Sequence, residues 1–180
     1  MRDYRFVANH RGGPLSITEH RMLAAWAADC AARVLPLFEA HSTDDRPRRA
    51  VEVARAWARG EVPVGAAQRA AWAAHAAARD APSEAATEAA RATGHAAATA
   101  HMADHSLGSV VYALRAVDAA GNSVDAERAW QTERLPGEVR RLALSALGSE
   151  RLRRFHPTTP PDSPQEAPDG SAVVLPRAGR

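Results

Sequence analysis

The sequence contains no lysine; all 23 of its basic residues are arginine. A P-loop, a Schiff-base mechanism and a pyridoxal-phosphate linkage each need a lysine amine, so all three are excluded. Cys30 is the single cysteine, so no intramolecular disulfide can form and an oxidising compartment is not implied. Aromatics are sparse, with three Phe, two Tyr and four Trp. Valine and isoleucine rarely cluster, which leaves little material for a β core. No run reaches the roughly 18 apolar residues of a membrane span. The opening "MRDYRFVANHRGG" lacks the apolar stretch of a signal peptide, so a cytoplasmic location is expected. There is also no Gly-rich phosphate loop, no G-x-S-x-G elbow and no HExxH pair.

Alanine dominates instead. It loses no side-chain entropy in a helix, so an all-α fold is expected. The 180 residues suit one domain. We expect a single-domain bundle of about six to seven helices over residues 1–156. After His156 the text turns to "PTTPPDSPQEAPDG", and residues 157–180 are expected to form a disordered tail.

The helix boundaries are partly written in the sequence. "SITE" is a capping box, Ser16 with Glu19, followed by a stripe of Met22, Leu23, Trp26, Cys30, Val34 and Leu37 that Pro36 should kink or end. Asp45 is the natural cap of a helix closed by Gly60, with Val51, Ala54, Trp57 and Ala58 on its buried side. A third helix runs from Val64 to Arg79. A fourth, capped by Ser83, runs to about His105, a fifth from Ser106 to Gly121, and another from Val124 to Leu135. Pro136 opens the last, to about Leu147 or on to Phe155. Trp26, Trp57 and Trp72 are expected in the core, with Trp130 partly exposed.

Against so much alanine, the polar residues stand out. Gln68, Trp72, His75 and Arg79 form one stripe at i, i+4, i+7 and i+11. In "ATAHMADH", His101 and His105 are four apart, the spacing a helix uses to hold two ligands on one face. A metal site would need further ligands, with His75 and Asp44 or Asp45 as candidates, and no signature supplies them. Cys30 lies on an apolar stripe, where a thiol is a small hydrophobe rather than a nucleophile. The favoured reading is a polar seam of Asp45, Arg46, His75, Arg79, Arg91, His101 and His105, either structural or facing a partner. No catalytic residue, metal or cofactor is expected. Between Arg134 and His156, six arginines (134, 140, 141, 151, 153 and 154) stand against Glu138 and Glu150. That is a solvated face or, in the runner-up reading, the grip of a nucleic-acid-binding regulator; a metal-dependent enzyme stands third.

Five stretches, "HRMLAAWAADCAARVLPLFEA", "DDRPRRAVEVARAWARGE", "RAAWAAHAAAR", "AATAHMADH" and "VVYALRAV", occur in order over roughly residues 17–117. In combination they resemble the immunity-5-like putative immunity proteins of bacteria, often from actinomycetes. The resemblance implies an all-α fold and a place in a polymorphic toxin system, where the immunity protein protects its own cell by binding a toxin. It transfers no catalytic residue. An exonuclease label attached to some such sequences lacks its Walker lysine here. The expected partner is thus a cognate toxin, occluded stoichiometrically, with no membrane and no nucleic acid involved.

Overall fold

Alanine sets both where the helices form and how closely they lie. The computed structural model describes residues 3–148; the expected tail over 157–180, a last helix running on to Phe155, and Arg151, Arg153 and Arg154 lie outside them. Two 3-10 turns, Tyr4–Phe6 and Asn9–Arg11, precede α1 (Ile17–Val34), α2 (Pro36–Glu39), α3 (Arg46–Arg59), α4 (Val64–Arg79), α5 (Glu84–Ala98), α6 (His105–Ala119), α7 (Val124–Glu133) and α8 (Gly137–Leu147). Since α2 is a single turn, the described residues form the helical bundle expected. They contain no strand, only one bridge between Ala8 and Leu15.

Local chemistry explains most of these limits. Ser16 accepts from the Glu19 N–H, while the Glu19 carboxylate accepts from the Ser16 N–H at 2.9 Å. Both donors of the capping box are so satisfied, and the Ser16 hydroxyl, donating to the Glu19 carboxylate at 2.7 Å, with the Ser16 N–H second, holds that carboxyl below its usual range. Pro36 lacks an N–H, so α1 stops and the chain restarts as α2. Ser83 and Ser123 cap α5 and α7 as α1 is capped by Ser16. The expected cap of α3 is corrected. Asp45 makes no cap bond. Its neighbour Asp44 accepts from the Arg46 N–H at 3.0 Å, because Asp45 is already helical in backbone and its side chain points to Arg49.

Helix α5 is the hub and touches α1, α2, α3, α4 and α6. Its Ala86, Ala89, Ala90, Ala92, Ala96 and Ala97 are fully enclosed. Side chains this small bring helix axes to the short end of the usual ~8–10 Å. A second, larger-grained core joins Phe6, Leu15, Leu23 and Trp26 to Leu107, Val110, Leu135 and Val139. Trp26 and Trp57 are buried as expected. Trp72 is not: it is 69% exposed, because the α4 faces turned to α3 and α5 are lined by Ala67, Ala71, Ala74, Ala77 and Ala78.

Polar bonds pin the close-packed layer. Ser109 Oγ lies 2.9 Å from the Ala92 carbonyl and 3.1 Å from that of Ala27, so one hydroxyl ties α6 to both α5 and α1. Glu127, buried at the base of α7, pairs with Arg33 at 2.6 Å and accepts from Gln131. Trp26 donates to the Gln131 carbonyl. Removing one partner of such a pair leaves a buried charge uncompensated, so Glu127→Ala should destabilise by about 3–5 kcal/mol. In the alanine layer, Ala89→Leu should cost about 1–3 kcal/mol by overpacking. Ala129→Leu, on the open face of α7, should stay within about 0.5 kcal/mol of the parent. Urea melts of the three variants check this ranking; an Ala89→Leu melt like that of Ala129→Leu would show that the layer has slack.

Candidate functional site

The stretch "ATAHMADH" does not lie on one helix. Helix α5 ends at Ala98, residues 99–104 form a turn, and His105 is the first residue of α6. The break is built from bonds rather than from glycine or proline. The His101 N–H reaches back three residues to the Ala98 carbonyl, tightening the chain, and Thr99 Oγ1 donates to the His95 carbonyl. From α1, the buried His20 donates through Nε2 to the Thr99 carbonyl at 2.6 Å, supplying the partner that a continuing helix would have given it. His20 is itself held edge-on against Trp57, with ring centroids 4.8 Å apart. The expected geometry of two histidines on one helical face is therefore corrected.

The turn nevertheless brings histidines together. His75 of α4, His95 of α5, His101 of the turn and His105 of α6 form a chain of rings. Centroids lie 5.1 Å apart for His75–His95, 5.2 Å for His95–His105 and 5.0 Å for His101–His105. His95 also stacks on Tyr112 at 4.9 Å. The Nδ1 atoms of His95 and His105 are 3.1 Å apart, so one donates and the other accepts. Two glycines make the room. A Cβ at Gly94 would lie 2.7 Å from the His75 ring, and one at Gly108 would lie 2.6 Å from His95 Nδ1. Each imidazole thus rests on bare backbone of the next helix.

His95 and His75 are held toward the neutral form. Burial pushes the His95 imidazole down to about 3, with the positive charges that His105, His75 and Arg91 would present acting in the same direction. His75 is lowered by burial first, then by Arg91 and Arg79. The Nδ1–Nδ1 hydrogen bond needs at least one of the two rings free of a proton at Nδ1, and the depressed His95 meets that need, since two protonated rings would face each other donor to donor.

The structure brings some of the residues expected in the seam together and leaves others apart. His75, His101 and His105 belong to the cluster, and Arg91 flanks it, pairing with the buried Glu88 at 2.6 Å and lying 5.8 Å from the Tyr112 centroid. Arg79 is exposed and donates to the His75 carbonyl of its own helix. Asp45 and Arg46 lie elsewhere: Asp45 pairs with Arg49, and Arg46 with Asp44 and Asp80. Their place is fixed by the α3 start, where Arg46 closes the loop around Asp44. His95 and Tyr112 were missing from the expected set. A signal was in the sequence: Gly94 and Gly108, glycines inside helical runs, mark close approaches, and the His75 and His95 rings fill them.

Among the described residues, no three or more His, Cys, Asp or Glu side chains are arranged to hold a metal ion. Cys30 is fully buried, and burial raises its thiol well above the usual range, so it is no thiolate nucleophile. In the basic segment, Arg134 lies over the Trp130 ring at 4.7 Å, and Arg140 donates to the Leu135 carbonyl at 3.1 Å. No helix of the described residues is long and apolar enough to cross a membrane.

The family model of the Imm-5 like putative immunity proteins matches residues 13–138, and the chain belongs to that family. No curated protein and no solved structure matches it.

Two outcomes follow from the cluster. Neutral in the folded state and depressed in pKa, His75 and His95 bind fewer protons folded than unfolded. Their contribution is complete above the ordinary imidazole range near 6.5 and is lost as pH falls below it, for His95 down to about 3. Each adds a slope of at most about 1.4 kcal/mol per pH unit in that window. Urea melts between pH 7.5 and 4.5 should show His75→Gln/His95→Gln losing stability less steeply than the parent; equal slopes would assign the acid sensitivity to other groups. Second, glycine to alanine inside a helix ordinarily stabilises. Here Gly108→Ala should destabilise by about 1–3 kcal/mol, since His95 is hemmed in by His75, His105 and Tyr112. Gly94→Ala should cost less, because the half-buried His75 can swing outward.

Proposed function

We propose that this chain, as a member of its family, binds a cognate bacterial toxin of a polymorphic toxin system and neutralises it by stoichiometric occlusion. The carrying observation is the family match, which runs from Gly13 to Glu138 and so takes in α1 to α7 entire. An immunity protein of this kind acts by covering a surface. It needs a stable scaffold and an exposed patch, and no reacting group.

The side chains are consistent with that economy. The one thiol is sealed in the interior. The histidines are packed against one another and against glycine backbone, filled rather than open to a substrate. The runner-up, nucleic-acid binding through Arg134–Arg154, gains no support from Arg134 and Arg140, whose guanidiniums are engaged within the fold. We place the protein in the cytoplasm, where a cell must intercept a toxin that acts on itself.

Growth rescue is the test. Co-expression with candidate toxin domains encoded near this chain in its source genome should identify one whose killing it relieves, and the two purified proteins should elute as one complex at a fixed ratio. Persistent killing at excess immunity protein, with no complex on the column, would rule this reading out. Binding to DNA or RNA that weakens steeply with salt would favour the runner-up instead.

A further inference from the structure

We propose that the outward stripe of α4 centred on Trp72 is the docking surface for the toxin, and that it fits an acidic protein face. This rests on the immunity reading above and adds to it the place and the charge of the partner.

The argument starts from what α4 does with its residues. The buried positions of α4 are all alanine, and the half-buried His75 rests over Gly94 of α5. A tryptophan on such a helix has no part in the core, and Trp72 is 69% exposed. Its neighbours on the same stripe leave the indole standing clear: Gly65 two turns before it and Ala76 one turn after carry almost nothing. Large aromatic and arginine side chains are those that dominate binding energy when they become buried at an interface.

The charge of the stripe selects the partner. Arg69, one turn before Trp72, and Arg79, two turns after, are both exposed. Among the described residues no carboxylate pairs with either, and α4 itself contains no acidic residue. The carboxylates that flank α4 in the chain are taken: Glu61 is held by Arg59 at 2.7 Å, and Asp80 by Arg46 at 3.1 Å. The stripe therefore presents one aromatic anchor between two exposed cations that no carboxylate among the described residues neutralises. A second copy of this chain would bring the same cations against them in a two-fold contact, which is repulsive. Nucleic acid would need many more phosphate contacts than two arginines supply. An acidic protein face with an apolar centre complements the sign of both cations and the indole between them.

Calorimetric titration of the toxin domain that passes the rescue and co-elution test above, purified as a non-toxic variant, into the full-length chain tests this. Trp72→Ala should weaken binding by about tenfold or more. Arg69→Ala/Arg79→Ala should weaken it and flatten its dependence on salt. Arg49→Ala, on the exposed side of α3, should leave the Kd within about twofold. The melting temperature of Trp72→Ala should match that of the wild type, so the loss would not be unfolding. Three outcomes overturn the proposal while leaving the immunity reading intact: undiminished binding by Trp72→Ala, wild-type affinity indifferent to salt, or a wild-type dimer that Trp72→Ala dissolves. If the wild-type chain forms no complex with the toxin, the surface falls together with the reading on which it rests.

Discussion

With the His75 and His95 rings where they stand, nothing larger than hydrogen fits at Gly94 and Gly108, and the arrangement of α4, α5 and α6 depends on that. Helices faced with alanine approach so closely that an imidazole has no room against a neighbouring helix, except where the neighbour has no side chain. His75 and His95 use those two places. Sliding α4 along α5 by one residue would drive His75 into a Cβ, and sliding α6 would do the same to His95. The rings therefore act as pegs. They fix the register of an interface whose alanines, being nearly identical to one another, would tolerate several.

Polar bonds complete what the pegs begin. Hydrophobic burial of alanine is worth little per residue, because each removes only a small apolar area from water. Its interfaces are correspondingly undemanding about which alanine meets which. Directional bonds restore uniqueness. Ser109 reaches carbonyls of two other helices, and His20 takes the Thr99 carbonyl where α5 stops. The pair of Arg33 and Glu127 places α7 against α1. Each is buried or half-buried, where an unmade bond costs more than in water, so alternatives that break one are penalised.

The sequence disclosed those features whose cause is local. The capping box at Ser16, the cap at Ser83, the stop at Pro36 and the span of α4 all depend on residues within a turn of the boundary, and each lies where it was expected. The end of α5 was hidden because its cause is distant. Residues 96–105 contain no glycine or proline, and the carbonyl freed at Thr99 is satisfied by His20, 79 positions away. Reading one continuous helix through His105 then misdirected the search for His95, by assigning directions around an axis that does not extend that far. Asp45 and Arg46 lie apart from the seam because the loop around Asp44 claims Arg46 and Asp45 pairs with Arg49. For Trp72 the error was one of prior expectation: tryptophan is usually mostly buried, but on a helix that packs by alanine there is no cavity wide enough to receive an indole.

That last point separates scaffold from surface on a single helix. His75 and Trp72 are three residues apart on α4, yet one is wedged over Gly94 and the other stands in solvent. A change at His75 or His95 disturbs a register shared by three helices, and it can be compensated only by a matching change at the glycine beneath it. A change at Trp72, Arg69 or Arg79 disturbs no packing, since the alanines behind them carry the helix. On the docking reading, the binding stripe can therefore be altered residue by residue to suit a different toxin while the bundle is left as it is. Specificity of this kind needs both attraction and rejection. Two cations beside an indole supply both, drawing in an acidic face and turning away a basic one.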